Sequence, residues 1–224
     1  RAAPDGDRTM ARTNTAGGLG AIWRDLKARP AIPWFLFSNA LWSGAVDGIR
    51  PYFFLFAVVV VGVTMAEASL VLTLLVVGLA VGSYVVGRLG DRRDRGRLLQ
   101  LGAAITGVAM LGGTFIHNLP GTIGLMLVAG LGAAALIALP YPLFTSLIGD
   151  EAVGRYTGLY VVSISIGRIV APMLVGAAID FGARVYPHYR GYPFMWPMAG
   201  VLTVAGAAAL SLANRYQRRE SSPS

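Results

Sequence analysis

Asp47 and Arg50 stand three residues apart inside a run that is otherwise almost wholly apolar, Trp34–Gly62. On a helix that spacing puts both side chains on one face, within reach of an ion pair. Ionisable groups inside a bilayer are costly and face a bundle interior or water. A rise of ~1.5 Å per residue carries Asp47 roughly 20 Å from the inner end. Two chemistries are open. As a cavity-lining group, Asp47 binds a proton, a cation or a substrate hydroxyl. As a structural group it only pairs with Arg50, which snorkels to the outer interface. Arg168 lies roughly 18 Å into a second apolar run, too deep for a flank. It either pairs with a buried acid, such as Asp47 or one on another unit, or binds an anionic solute. Tyr52 and Tyr141, each directly after a proline, complete the set of cavity and coupling candidates.

A second constellation is Gly87-Arg88-Leu89-Gly90-Asp91-Arg92-Arg93-Asp94-Arg95-Gly96-Arg97-Leu98-Leu99, the densest run of charge in the chain. Its bland reading is a basic loop of any polytopic membrane protein. Its specific reading is a gate, with Gly87, Asp91, Arg92, Arg95 and Arg97 as the working residues.

Other chemistries find no residues. There is no cysteine, which excludes disulfides, thiolate zinc and thiol catalysis. The two histidines, His117 and His188, fall in expected outer loops, too few to build a metal site. No Ser–His or His-Glu-x-x-His arrangement occurs. Asp91 and Asp94 lack the preceding Asp-x-x-Asp-Gly element that a metal-dependent phosphotransferase acting on CDP-alcohols needs. The expectation is a protein that is not an enzyme and holds no cofactor and no metal.

The elements that must position these residues follow from composition. Of 224 residues 55% are hydrophobic and 13% charged, with a mean hydropathy of +0.60. A soluble domain of this length rarely has that balance. A bilayer span needs about 20 apolar residues. Six segments approach that: Trp34–Gly62, Ser69–Gly87, Leu98–Phe115, Gly121–Leu147, Tyr156–Ala178 and Met195–Ala213. Period-two alternation is absent, so the spans read as helices and not as a membrane barrel.

Charge placement orients them. Six Lys/Arg precede Trp34, five lie in residues 88–97, Arg155 follows, and three come after Ala213. The alternate loops hold only Arg184 and Arg190. By the positive-inside rule both termini are cytoplasmic, in the cell (inner) membrane. The net charge of +8 is therefore membrane-flanking, and no nucleic-acid partner is expected. The partners expected are the lipid bilayer and a small-molecule substrate.

The chain divides accordingly. Residues 1–18 read as a disordered tail or linker. Residues 19–33 read as an amphipathic interfacial connector, with Leu19, Ile22, Trp23 and Leu26 at helical spacing and Pro30 and Pro33 closing it. Residues 34–214 form the transmembrane domain, and 215–224 a cytoplasmic tail. Gly78 and Gly82 mark a close helix contact, and Asp150 and Glu151 a helix start. Asp180 ends the fifth span. Tyr186, Tyr189, Tyr192, Phe194 and Trp196 make an interfacial aromatic belt. The first residue is Arg1 and not Met, which reads as a piece of a longer product or a truncated record.

Spans one and four share an echo, Pro51-Tyr52-Phe53-Phe54-Leu55-Phe56 against Pro140-Tyr141-Pro142-Leu143-Phe144. The two spans run in opposite directions, as in an inverted repeat of three helices. The pattern Gly-x-Leu-x-Asp-Arg-x-x-Arg-x-Arg over residues 87–97, between the second and third apolar segments, resembles the loop signature of the major facilitator superfamily. Asp94 stands where that signature usually has Gly. The run Leu139-Pro140-Tyr141-Pro142 through Gly154, Gly158-Leu159-Tyr160, Ala171-Pro172 and Gly176 to Asp180 resembles sugar-type facilitators. It resembles the glycoside–pentoside–hexuronide cation symporters and the sucrose-transporter-like proteins among them.

The resemblance implies an all-α integral membrane fold. It would be six transmembrane helices as two inverted three-helix repeats, the carboxyl-terminal half bundle of a twelve-helix facilitator. It also implies a secondary active transporter working by alternating access, proton- or cation-coupled. Gly87, Asp91, Arg92 and Arg95 would form its inner latch. The partner implied is an amino-terminal six-helix half or a second copy. Two other readings compete: a half-size or non-transporting membrane subunit acting by assembly, and a drug or metabolite exporter of the same frame. An upstream reading frame with six more spans would favour the half transporter, and a start at Met10 a half-size protein.

Overall fold

The computed structural model describes residues 20, 24, 26–90, 92–148 and 153–220. The expected tail at 1–18, residues 19, 21–23 and 25 of the connector, and Asp91, Asp150 and Glu151 lie outside the described residues.

Helix α1 spans Ala31–Gly48 and α2 Arg50–Phe56, followed by a π-helical turn, Ala57–Val61. Together they make one rod. Its start corrects the expected boundary at Trp34. Pro30 caps α1 with φ −63°, and Pro33 sits in the first turn, where a missing N–H loses nothing. Residues 24 and 26–28 are helical and the helix stops at Ala28, so the prolines stand between that piece and the rod they open. Helix α3 is Met65–Gly90 and α4 Arg95–Gly113. Helices α5, Leu119–Ala138, and α6, Pro140–Ile148, form another broken rod. Helix α7, Val153–Val185, runs unbroken through Pro172 and past Asp180, which therefore does not end it. After two 3₁₀ turns, α8 spans Met195–Glu220, so residues 215–220 extend the last helix.

Two rods break at matching places. Ile49 and Leu139 interrupt them with φ/ψ of −82°/−19° and −94°/−25°. In each case a proline follows at once or after one residue, and its missing N–H removes the hydrogen bond to the carbonyl four residues back; at the first break the Asp47 carbonyl accepts from the Ile49 N–H in its place.

Among the described residues five rods are long and apolar enough to cross a membrane: Ala31–Val61, Met65–Gly90, Leu119–Ile148, Tyr156–Val185 and Tyr192–Gln217. Helix α4, which holds the expected third span, is not among them. It has 19 residues, so a window of span length must take in Arg97 and Gln100.

The rods pack as a chain of neighbours, α3 on α5, α5 on α4, α4 on α8, α8 on α1, and α1 on α7. The crossings nearest its ends are built on absent side chains. At α1/α7, a Cβ on Gly44 would lie 2.7 Å from the Gly167 carbonyl oxygen, and one on Gly167 would strike the Ala40 carbonyl. At α3/α5, a Cβ on Gly78 would lie 3.0 Å from the Leu127 carbonyl oxygen. Backbones that close leave only small residues at the contact. Two apolar clusters fill the bundle. One gathers around Phe56 and Trp196, whose rings meet edge-on at 5.4 Å, and the other around Phe35 and Phe144, stacked at 5.7 Å.

Candidate functional site

Between the rods lies a cavity of about 280 Å³. Its walls are chemically divided. Asn39, Ser43, Asp47, Arg50, Tyr160 and Arg168 bring polar groups from α1, α2 and α7. Leu72, Leu75 and Leu79 of α3, Met110 of α4, and Met126 and Leu136 of α5 make an apolar wall.

Asp47 is the centre of the polar wall. Arg50 donates Nη1 to its Oδ1 at 3.2 Å, and Arg168 donates Nε to its Oδ2 at 2.7 Å. Each carboxylate oxygen thus takes one guanidinium. The Arg50 pair follows from the i, i+3 spacing on one rod. The Arg168 pair joins residues 121 apart in sequence, through the close α1/α7 crossing. The Asp47 side chain is 20% exposed, while Arg50 and Arg168 are 73% and 61% exposed. The carboxylate is therefore covered and the guanidiniums open. Among the described lining residues these are the charged groups, and they sum to one positive charge.

The other two cavity candidates lie elsewhere. Tyr52 turns away from the cavity and donates its hydroxyl to the Pro172 carbonyl at 3.0 Å, tying α2 to α7. Pro51 starts a new helix segment there, and the altered path aims Tyr52 at the neighbouring helix. Tyr141 is exposed and packs edge-on against Tyr160 at 5.4 Å, and it is Tyr160 that faces the cavity.

The structure adds residues that carried no sequence assignment. Asn39 donates Nδ2 to Ser163 Oγ at 3.0 Å and accepts from Trp42 Nε1 at 3.0 Å, a buried relay across the α1/α7 contact beside the cavity. Asn39 and Trp42 share a face by spacing, but nothing local points Asn39 at Ser163. Trp196, expected in the aromatic belt, is fully buried and lines the cavity. Among the described residues no cluster of three or more His, Asp or Glu side chains is placed to hold a metal ion.

In the basic loop, Arg88 lies over the Tyr84 ring at 5.4 Å, and Arg92 and Arg93 are exposed. Gly87, also exposed, stands near the end of α3, and a Cβ there would meet nothing within 4 Å. Arg95 donates to the Gly90 carbonyl at 3.5 Å, and Arg97 approaches Asp94 at 3.7 Å. Asp94 caps α4, accepting from the Gly96 N–H at 2.9 Å with φ −58°. That backbone needs no glycine, and an aspartate there satisfies a helix N–H. The departure from the usual loop pattern at residue 94 has a local structural reason.

A family model described as Major Facilitator Superfamily matches residues 30–224. Among solved structures, the chain is similar to a bacterial homolog of the human lysosomal transporter Spinster, crystallised in an inward-facing and unoccupied conformation. The TM-score is 0.72 at 16% identity, over 100% of this chain and 55% of that one. At that identity the likeness is one of fold, and the chain spans about half the length of that protein. No curated protein matches the chain. With residues 30–224 inside the family match, this chain belongs to the major facilitator superfamily and is a multi-pass membrane protein.

Proposed function

We propose that the chain is one six-helix half of a secondary active transporter that moves a small solute by alternating access, coupled to a proton or another cation. The observation that carries this reading is the Asp47–Arg50–Arg168 group in a divided cavity inside an otherwise apolar bundle. Groups of this kind are retained in membranes where a solute or ion must pass. Asp47 is the coupling candidate, and the loop of Gly87, Asp91, Arg92, Arg95 and Arg97 the inner gate. The resemblance of the 139–180 run makes a sugar-type cation symporter the narrower reading.

The packing order supports two inverted three-helix repeats with α4 as a sixth span. Exchanging the first three rods with the last three returns the same set of neighbours. Gly44 on Gly167 and Gly130 on Gly78 are equivalent contacts under that exchange. So are Gly48 on Ala171 and Ala134 on Gly82. Helices α3 and α7 end the arc, and only 17% and 28% of their apolar windows are buried. Those faces suit a second half, either an amino-terminal one or another copy. The charge asymmetry favours a cell-membrane protein with both termini cytoplasmic.

Because the chain has no cysteine, Ser43→Cys gives a single reporter in the cavity wall. An impermeant thiol reagent is expected to label it both in intact cells and in inside-out vesicles. Labelling from one face only, or from neither, would remove alternating access.

A further inference from the structure

We propose that the cavity binds an organic monoanion with an apolar body, and that Asp47 is an internal counter-ion which the solute's oxyanion displaces from Arg50 and Arg168. This rests on the transporter reading above and, for the substrate class, takes the chemistry of the cavity wall in place of the sugar-type resemblance.

Three observations carry it. First, the charged groups of the described cavity wall sum to one positive charge, which one anion neutralises. Second, each arginine gives Asp47 a single hydrogen bond, through Arg50 Nη1 and Arg168 Nε. A guanidinium carries five N–H donors in a planar fork, so most remain available for a two-oxygen acceptor. That excess of guanidinium donors points away from a cationic solute. Third, the wall opposite the arginines is apolar, formed by Leu72, Leu75, Leu79, Met126 and Leu136. A small hydrophilic anion would leave that surface unmatched, whereas an aryl or alkyl carboxylate would cover it.

The counter-ion role also explains the geometry of Asp47. An empty site with two open guanidiniums in a low-dielectric bundle would be poorly stable. A covered carboxylate holds both in place until a solute carboxylate takes over the same donors. Arg50 and Arg168 are the charged groups facing it, and Tyr160 is the further titratable group in the described wall.

The test is binding to the purified chain in detergent micelles, followed by titration calorimetry. The probe is 1-naphthoate, compared with neutral 1-naphthamide and cationic 1-naphthylmethylamine. Naphthoate is expected to bind saturably and about tenfold or more tighter than the amide, the worth of a charge-assisted fork. Arg168→Gln should erase that preference, and Arg168→Lys should keep it at lower affinity. Asp47→Asn should tighten naphthoate, because it removes the competing anion. Should the variants elute as aggregates, the comparison on the unmodified chain still decides. Equal binding of naphthoate and naphthamide, tighter binding of the amine, or no saturable naphthoate binding each overturns the proposal. So does weaker naphthoate binding by a monodisperse Asp47→Asn. These outcomes leave the Ser43→Cys labelling untouched, so the substrate class and the transport reading fail separately.

Discussion

Arg168 Nε and Asp47 Oδ2 lie 2.7 Å apart although one side chain comes from α7 and the other from α1. The contact exists because Gly44 and Gly167 let the two backbones approach until no Cβ would fit. A membrane-embedded ion pair is thus placed by two glycines, one three residues before Asp47 and the other next to Arg168.

Replacing Asp47 tests coupling against simple pairing. Asp47→Asn strands two guanidiniums and not one. Breaking a buried pair costs roughly 3–5 kcal/mol, and an exposed pair about 1 or less. Both arginines are open, so a loss of about 1–2 kcal/mol is expected, read as a lower melting temperature in detergent. If Asp47 carries the driving ion, the variant abolishes uphill accumulation in vesicles but spares exchange down a gradient. Recovery of uphill transport in Asp47→Asn with Arg50→Gln would assign Asp47 to pairing alone.

The α1/α7 crossing gives a stability prediction. Gly167→Ala drives a methyl into the Ala40 carbonyl and is expected to destabilise the protein by about 1–3 kcal/mol. Gly112→Ala is the contrast. Nothing lies within 4 Å of its Cβ position, and alanine in a helix gains about 0.5–1 kcal/mol over glycine. Thermal unfolding of both in one detergent compares them. A neutral Gly167→Ala would mean the crossing is looser than described.

Topology can be read in the cysteine-free background. Cysteines placed singly at residues 94 and 188 are expected to react with an impermeant reagent from opposite faces, residue 188 in intact cells and residue 94 only in inside-out vesicles. Reaction at 94 but not 188 in intact cells would reverse the orientation drawn from the arginine distribution.

The gate is tested at Asp91. Asp91→Asn removes a charge from the loop that otherwise carries five arginines. Transport is expected to fall by about tenfold or more, the loss of one or two charge-assisted contacts, with the protein level in the membrane unchanged. Full activity in that variant would take Asp91 out of the mechanism.

The membrane class, most helix positions and the basic loop follow from local sequence. About 20 apolar residues are a sufficient condition for a span wherever they occur, and Arg at the flanks needs no tertiary partner to be recognised. The Asp47–Arg50 pair is equally local, since three residues on a helix share a face. Proline breaks at Ile49 and Leu139 belong to the same kind of information. What the chain could not disclose locally was direction. Tyr52 and Tyr141 look alike as Pro-Tyr pairs, yet one hydrogen-bonds the Pro172 carbonyl and the other packs on Tyr160 outside the cavity wall. Trp196 reads as an interface aromatic until α4, α5 and α2 close over it. The joining of Asp47 to Arg168, and of Asn39 to Ser163, depends on which helices pack together and how closely. That packing is set by glycine contacts distributed over four rods, whose effect appears only when the rods meet.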